Sequence, residues 1–458
     1  MHGSQMTETQ RSRPRRQHTG RTAKTARGKR NKVLDPDTGL PTREAFLPAL
    51  ADAAKAGSGT LVFVGLDDFQ DINDFLGHVS GNEVLRGVAR RLQELAGVDA
   101  MVARLTGVEF ALLMPQLDTE DNGSVFAERV LHELQREAIG IEGGAFEVDI
   151  PASIGIARYP QDGTEPSELM RHADLALAQA RSSQTPRYQF FRQTLSDRAA
   201  RLRMIKFELR HALERDQLRV FYQPKLDLKT RRITGMEALL RWEHPEHAMI
   251  PPGEFIPIAE RTGLISPISD WMMREACRQT RAWKDAGIAD LRLAVNLSTV
   301  QFRRQSVIGS VTAILEDTGL APEMLEVEVT ESVLVSDDTM VMDTFRWFGE
   351  LGIPIAIDDF GTGYSSLSYL MRFPASTVKI DASFIKGLHV DSEAATITRS
   401  IIKLAHSLDM HVVAEGVERD AHVDFLVDHD CDIGQGYLFS RPVPAPQFEA
   451  LLTAAPPS

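Results

Sequence analysis

The N-terminal half of the chain mixes strand-like apolar runs with segments whose apolar residues recur at helix spacing. The β-rich run 61–69 is followed by a helical stretch, and the next apolar segment predicts two strands around a turn at Thr106 and Gly107. This order predicts an α+β domain over residues 33–192 with a mostly antiparallel sheet. The predicted helices cover 73–95, 124–138 and 167–181, and the later strands cover 146–160 and 188–191.

The C-terminal half repeats one unit, in which an apolar strand-like run ends in or near a polar residue and a helix-length segment usually follows. There are about eight such runs, the number that a closed (β/α) barrel needs. We therefore predict an α/β domain over 216–455, a (β/α)8-type barrel, joined to the first domain by a helix over 193–215. The polar residues at the run ends are Gln223, Glu237, Asn296, Glu328, Asp358 with Asp359, Lys379, Glu415 and Gln435.

The first two runs of the barrel are joined by only a few residues, 226–232. That length is too short for the crossover that two parallel strands require, so these strands should form an antiparallel hairpin. If the turn centres on Thr230, Gln223 faces Glu237 directly across the hairpin. The prediction is a barrel with one reversed strand and with both side chains at the same mouth.

Composition gives a broad class and few exclusions. The 458 residues are 43% hydrophobic and 25% charged, which is typical of a globular protein with two or three cores. The formal charge of −13 disfavours a protein that wraps duplex nucleic acid, so no specific nucleic-acid partner is expected. The distant Cys277 and Cys431 have no metal-type spacing and fit a reducing cytoplasm.

The N-terminal arm, residues 1–32, is dense in Arg and Lys between 11 and 32 and poor in large apolar side chains. Such a segment cannot bury enough surface to offset its ordering entropy, so we expect it to be disordered. A solvated tail is favoured over an arm that contacts nucleic acid or an anionic membrane. No apolar run approaches the roughly 20 residues of a spanning helix, and no secretory signal is visible, so a cytoplasmic protein is expected.

The strand-end residues of the predicted barrel have the chemistry of a metal site. Catalytic groups of such barrels lie at the carboxyl ends of the strands, where the loops converge. An oxygen-only donor set suits Mg²⁺ or Mn²⁺, and adjacent Asp358 and Asp359 permit a pair of ions that can promote phosphoryl displacement. The predicted metal ligands are Glu237, Asn296, Glu328, Asp358 and Asp359.

The C-terminal half resembles the EAL phosphodiesterases over its full length. The motifs that carry the resemblance occur in order: EALLRWEHP (237–245), NLS (296–298), EVTE (328–331), DDFGTGYSSLSYL (358–370), KID (379–381), EGVE (415–418) and GQGYLFSRP (434–442). The resemblance implies that Gln223, Arg241 and Gln435 bind the dinucleotide. It also implies that Lys379 and Glu415 orient or deprotonate the attacking water, and that Glu331 tethers the DFGTGYSS loop. Which of Lys379 and Glu415 is the base stays open.

The N-terminal half resembles the GGDEF diguanylate cyclases through DPDTGLPTREAF (35–46), FQDINDFLGHVSGNEVL (69–85), SIGIARYPQDG (153–163) and ADLALAQAR (173–181). Two positions that carry metal-binding carboxylates in the family are Gly65 and Val108 here, the latter in TGVEF. Further departures are Gln70, Asn82, Thr106 and the GVDA sequence at 97–100, whereas Asn73, a guanine-contacting position, is retained. These departures predict that cyclase activity is absent.

Together the resemblances predict a tandem protein that hydrolyses cyclic di-GMP to linear pGpG. A non-catalytic cyclic di-GMP receptor is the alternative, and a bifunctional synthase and hydrolase is disfavoured by Gly65 and Val108. The N-terminal domain is expected to bind GTP as a regulator or to serve as a structural or dimerising module, and a homodimer is expected.

Overall fold

The computed structural model describes residues 34–136, 139–141, 146–183, 187–302, 306–333, 339–362, 370, 373–388 and 393–453. The basic arm and the second half of the DFGTGYSS loop, residues 363–366, therefore lie outside the described residues. The chain divides into two compact units, residues 1–201 and 202–458. Each unit has its own apolar core, as the length of the chain predicts.

The first unit is an α+β domain, which confirms the predicted class. Its five-stranded sheet is antiparallel except at one edge, where the last strand pairs in parallel with its neighbour. Its helices are α1 (Arg43–Ala56), α2 (Phe69–Ala96), α3 (Glu120–Arg136) and α4 (Pro166–Ser182), and its strands are β1 (Gly59–Leu66), β2 (Met101–Thr106), β3 (Glu109–Met114), β4 (Ile139–Ile141), β5 (Phe146–Val148), β6 (Ala152–Tyr159) and β7 (Tyr188–Phe190).

One predicted strand of this domain is wrong in extent. The segment 146–160 contains two strands: β5 pairs with β4, and β6 pairs with β1 in the main sheet. Pro151 lies at the break, and proline has no backbone N–H to donate to a sheet. A turn joins β2 and β3 as predicted, but it lies one residue later, at Gly107 and Val108, because Thr106 is the last residue of β2; Gly107 has φ +53°.

Helix α5 (Gln193–Ala212) runs across the boundary between the two units. The second unit then follows the predicted order of strands and helices. Its strands are β8 (Leu218–Asp227), β9 (Ile233–His244), β10 (Ala248–Ile250), β11 (Arg292–Asn296), β12 (Leu325–Thr330), β13 (Ile355–Phe360), β14 (Thr377–Ile380), β15 (His411–Ala414), β16 (Ile433–Gly434) and β17 (Val443–Pro444), and its α-helices are α6 (Pro252–Thr262), α7 (Ile265–Asp285), α8 (Thr299–Phe302), α9 (Ser306–Thr318), α10 (Thr339–Leu351), α11 (Ala382–Lys386), α12 (Glu393–Ser407), α13 (Asp420–Asp428) and α14 (Ala445–Thr453).

Eight strands of the second unit close into a barrel, in the order β9, β11, β12, β13, β14, β15, β16 and β8, with β8 pairing again to β9. Strand β8 is antiparallel to both of its neighbours, and the other pairs in the ring are parallel. This confirms the barrel with one reversed strand. Gln223 and Glu237 are register partners, as the short connection between their strands predicts.

Apolar side chains between the barrel strands and the surrounding helices form the larger core of the protein. Helix α7 shows why the sequence folds this way: its apolar positions recur at helix spacing and bury Met272, Met273 and Cys277 against the barrel. Cys277 and Cys431 are both buried free thiols. None of the helices in the described part of the chain is both long and apolar enough to cross a membrane.

Candidate active site at the mouth of the barrel

A cavity of about 300 Å³ opens where the parallel barrel strands end. Five of the predicted site residues line it: Gln223, Glu237, Asp358, Glu415 and Gln435. The remaining lining includes Leu239, Lys386, Glu418 and Tyr437. The structure thus brings residues of five strands and of the loops after them to one place. Gln223, Glu237 and Asp358 lie within their strands, and Glu415 and Gln435 directly follow theirs.

Lys379 lies at the centre of the acidic residues. It projects from β14 and is 1% exposed. Its Nζ lies 2.6 Å from an oxygen of Glu328, 2.7 Å from Glu415, 3.0 Å from Asp358 and 3.9 Å from Glu237. Burial alone would favour the neutral amine, but these carboxylates hold the pKa of Lys379 well above its ordinary value. Lys379 therefore stands as a buried ammonium that organises four carboxylates.

Glu328 is fully buried and has both carboxylate oxygens occupied by lysines. One oxygen accepts from Nζ of Lys379, and the other accepts from Nζ of Lys225 at 2.7 Å. Burial by itself would raise the pKa of Glu328, but the two ammonium groups outweigh it and lower that pKa to about 2. Glu328 is accordingly a fixed carboxylate in this structure.

Glu237 is held by amides on both of its oxygens. Nδ2 of Asn296 donates to one oxygen and Nε2 of Gln435 donates to the other, each at 2.6 Å. The same Gln435 nitrogen lies 3.1 Å from Oε1 of Gln223. Burial, with the charge of Glu328 nearby, raises the pKa of Glu237 to about 8. This network fixes Glu237 between three polar side chains at the cavity wall.

Asp358, Asp359 and Glu415 form an open acidic group on the other side of Lys379. A carboxylate oxygen from each lies within 4.8 Å of one from the others. Asp359 has φ +55°, so the backbone turns at this residue, and its amide donates to the Asp358 carboxylate at 3.0 Å. That turn lets neighbouring aspartates share one site although consecutive strand residues ordinarily face opposite sides.

The donor chemistry of this site fits divalent cations. The six carboxylates around the two lysines are Glu237, Glu326, Glu328, Asp358, Asp359 and Glu415. Six carboxylates face two ammonium groups here, so the site has excess negative charge, and burial raises the pKa of Glu415 to about 7. Oxygen donors with excess negative charge are the ligand set that Mg²⁺ and Mn²⁺ prefer. The acidic cluster can therefore hold metal, and the carboxylates of Asp358, Asp359 and Glu415 lie close enough together to share an ion.

Glu331 and Arg241 lie beside the cavity but outside its lining. One oxygen of Glu331 accepts from the amide of Gly361 at 2.9 Å, and its other oxygen is buried with no hydrogen-bond partner among the residues that the structure describes. Arg241 lies four residues beyond Glu237 on β9, and its guanidinium packs over the ring of Phe221 at 5.7 Å. Alternation along the strand puts Arg241 on the same face as Glu237.

Sequence reasoning missed Lys225 and Glu326, which pair beneath the site. Lys225 lies two residues after Gln223 on β8, and Glu326 lies two residues before Glu328 on β12. Strand alternation places each on the inward face of its strand, so the signal was present in the sequence. Tyr437 was also missed; it is half-exposed at the cavity, with the guanidinium of Arg441 over its ring at 4.3 Å.

In the first unit, the guanidinium of Arg181 lies beside Gly65. A β-carbon added at Gly65 would come within 2.1 Å of Nη2 of Arg181. Arg181 reaches Asp67 at 3.4 Å and Glu109 at 3.3 Å, and Arg187 pairs with Asp67 at 2.8 Å. The flexible end of Arg181 lies where a side chain at position 65 would be placed, so that arginine would have to shift to admit one.

Val108 and Asn73 complete this region. Val108 packs against the apolar core of the unit, and its carbonyl accepts from the amide of Leu66 at 3.2 Å. Asn73 lies on α2, which has a non-helical residue at Gly77, and its Oδ1 is packed against Gly81. Neither Gly65 nor Val108 offers a side-chain ligand.

Comparison with protein families identifies both halves of the chain. The EAL domain family matches residues 207–442, and the diguanylate cyclase GGDEF domain family matches residues 32–187. The protein belongs to the EAL domain family and carries a GGDEF domain in tandem before it. This confirms the resemblances drawn from the motifs.

The chain is 42% identical over 390 residues to the "Bifunctional diguanylate cyclase/cyclic di-GMP phosphodiesterase MucR" of Pseudomonas aeruginosa, covering 85% of this chain and 56% of that protein. It is 39% identical over 425 residues to the "Cyclic di-GMP phosphodiesterase NbdA" of the same organism, covering 92% and 54%. The chain thus spans little more than half the length of these relatives. The solved structure "PaMucR Phosphodiesterase, c-di-GMP complex" is 47% identical, with a TM-score of 0.52, and covers 54% of this chain and 99% of that one.

Proposed function

We propose that the EAL domain hydrolyses one phosphodiester bond of cyclic di-GMP and releases linear pGpG. The observation that carries this proposal is the buried Lys379 among four carboxylates, beside an open acidic group and a cavity lined by Gln223 and Gln435. The names of the relatives MucR and NbdA support the substrate, and so does the MucR structure with c-di-GMP.

The position of each residue in the site suggests its role in the reaction. Glu237, Asn296, Asp358 and Asp359 would hold two ions of Mg²⁺ or Mn²⁺, and Glu328 would join them through the lone pairs that its oxygens keep beside the two lysines. Bound divalent ions activate a water and stabilise the oxygens of an in-line phosphoryl displacement. Gln435 and Asn296 hold the Glu237 carboxylate in place through its two oxygens. Glu331 fixes the start of the loop after Asp359 by accepting from the amide of Gly361.

The Lys379 ammonium orients the attacking water, and the carboxylate of Glu415, 2.7 Å from Nζ of Lys379, takes the proton of that water. Arg241 and Gln223 contact the dinucleotide. A guanidinium can grip two phosphate oxygens at once, which suits Arg241 for the substrate backbone.

The test is an assay of the purified protein on cyclic di-GMP with Mg²⁺ or Mn²⁺, following pGpG by chromatography. Glu237→Gln keeps the shape of the side chain and removes its charge, so hydrolysis should fall by about a hundredfold or more. Exposed Glu350→Gln makes the same chemical change away from the site and should leave the rate unchanged. Equal rates for parent and Glu237→Gln would refute the proposal. Tight binding of cyclic di-GMP without turnover would favour a receptor.

We propose that the GGDEF domain makes no cyclic di-GMP and acts on the EAL domain as a regulatory, GTP-binding module. Gly65 and Val108 lack metal-binding side chains, and Arg181 lies beside Gly65. Asn73 is retained as a possible guanine contact. We also propose a homodimer, which light scattering of the purified protein would detect as twice the chain mass.

A further inference from the structure

The barrel contains an ion pair directly beneath its acidic mouth. Barrels of this type usually fill the interior with bulky branched aliphatic side chains. Here Lys225 and Glu326 occupy the interior, each 4% exposed. Below them, at the opposite end of the strands, a second cavity of about 530 Å³ opens to the outside. The interior is therefore polar from one end of the barrel to the mouth.

Lys225 connects this lower layer to the site. Its Nζ lies 2.7 Å from Glu326 and 2.7 Å from Glu328, so one ammonium bridges two carboxylates on the same strand. The second oxygen of Glu326 is 3.4 Å from Oγ1 of Thr377 and 3.8 Å from Arg292. Glu326 thus has partners of its own and holds Lys225 from below.

The contact between Lys225 and Glu328 affects how Glu328 pairs with Lys379. Lys225 takes one oxygen of Glu328, so Lys379 needs to reach only the other. That arrangement leaves Lys379 within reach of Glu415 and Asp358. Without Lys225, the fully buried Glu328 would have only Lys379 as a donor to its two carboxylate oxygens. Lys379 would then move toward Glu328 and away from Glu415.

Stability gives little reason for a lysine and a glutamate at these positions. A buried ion pair can often be replaced by apolar residues of similar volume with no loss of stability, because desolvation offsets the attraction. Loss of one partner alone is costly, because it leaves a buried charge unpaired. Stability therefore does not explain this pair, and its contribution lies in the position of the Glu328 carboxylate.

We propose that Lys225, held by Glu326, is a positioning residue that fixes Glu328 and thereby sets the place of Lys379 and the metal-binding carboxylates. The inference rests on the proposed function of the site. Neither Lys225 nor Glu326 lines the mouth cavity, so neither touches the substrate. Their effect should appear in metal affinity and in kcat, and little in KM.

The decisive variant is Lys225→Met combined with Glu326→Leu, which removes one charge of each sign and leaves the net charge of the site unchanged. Calorimetric titration with Mn²⁺ should show a Kd raised about tenfold or more, and kcat should fall by about the same factor, as for other residues that orient metal ligands. Thermal unfolding should show a lower Tm than the parent, because the buried Glu328 loses the donor of one oxygen, and the comparison is made at a temperature where both proteins are folded.

A matched control uses the exposed pair Lys229 and Asp430, whose atoms are 3.1 Å apart. Lys229→Met combined with Asp430→Asn removes the same two charges; asparagine is chosen because residue 430 has φ +61°. This control should bind Mn²⁺ and turn over like the parent. If the first variant does not fold, Lys225→Gln combined with Glu326→Gln replaces it, with the same direction of change expected.

Parent-like Mn²⁺ affinity and kcat in a folded Lys225 and Glu326 double variant would overturn the inference. A parent that binds Mn²⁺ but does not hydrolyse cyclic di-GMP would sink the proposed function alone, since the calorimetric comparison still decides the role of Lys225. A parent that binds no Mn²⁺ would overturn both.

Discussion

Gln223 and Glu237 lie directly opposite each other on the β8–β9 hairpin, and Nε2 of Gln435 lies within hydrogen-bond distance of both side chains. The side-chain amide of Gln435, in the loop after β16, thus connects that loop to the β8–β9 hairpin. Within the described part of the chain, Oε1 of Gln435 is buried and has no hydrogen-bond partner. The orientation of Glu237 depends on this contact.

Replacing Gln435 by glutamate should impair the site strongly. The change removes the amide donor and places a carboxylate beside Glu237, which is already short of positive charge. We expect kcat/KM for cyclic di-GMP to fall by about tenfold to a hundredfold, the range for residues that orient metal ligands. Gln193→Glu, at an exposed position of α5, makes the same change and should have no effect. A Gln435→Glu protein as active as the control would show that the amide network is dispensable.

Asp359→Asn tests the open acidic group. The variant removes one charge from the group of Asp358, Asp359 and Glu415, while asparagine tolerates the backbone at φ +55°. Calorimetry should show Mn²⁺ affinity reduced by about tenfold or more. Asp409→Asn is the control, since Asp409 is exposed and has φ +58°. Unchanged Mn²⁺ affinity would remove Asp359 from the set of ligands.

The parent protein incubated with labelled GTP and Mg²⁺ should yield no cyclic di-GMP and no pGpG. The reason is that Gly65 and Val108 offer no side-chain ligand and Arg181 lies beside Gly65. The same assay is run on Glu237→Gln, so that any cyclic di-GMP made from GTP is not removed by hydrolysis in the EAL domain. Accumulation of cyclic di-GMP in that variant would establish a cyclase.

Saturating GTP should raise the rate of cyclic di-GMP hydrolysis if the GGDEF domain regulates its neighbour. Asn73→Ala should abolish that response and leave the basal rate intact, since Asn73 lies in the other compact unit. Absence of both GTP binding in calorimetry and any change in rate would reduce the domain to a structural role.

Gly155→Ala should destabilise the GGDEF domain. A β-carbon at this position on β6 would lie 2.2 Å from the carbonyl oxygen of Ala173 and 2.3 Å from the amide nitrogen of Leu177, so helix α4 would have to move. Such overpacking costs about 1–3 kcal/mol. Calorimetric unfolding should show a lower Tm for this unit. Gly57→Ala has open space around it and should unfold like the parent; equal curves would contradict the tight packing of α4 on β6.

The sequence predicted the barrel, its reversed strand and the residues at its mouth, because each depends on local information. The alternation of strands with helices fixes the class of fold, and the short link over 226–232 forces the hairpin. The strand predicted over 146–160 was too long. Apolar residues continue through the whole segment, but its two halves pair with different sheets and the strand is interrupted between them.

By itself the sequence determined which strands carry the polar residues and which face of each strand they occupy, because side chains alternate with a period of two. It did not determine their partners. Lys225 meets Glu328 from 103 residues away, and Arg181 meets Glu109 from 72 residues away. Only the closed barrel and the folded sheet bring such groups together. The face that a residue occupies on its strand follows from local alternation, whereas the distance between residues far apart in sequence depends on how all the elements pack.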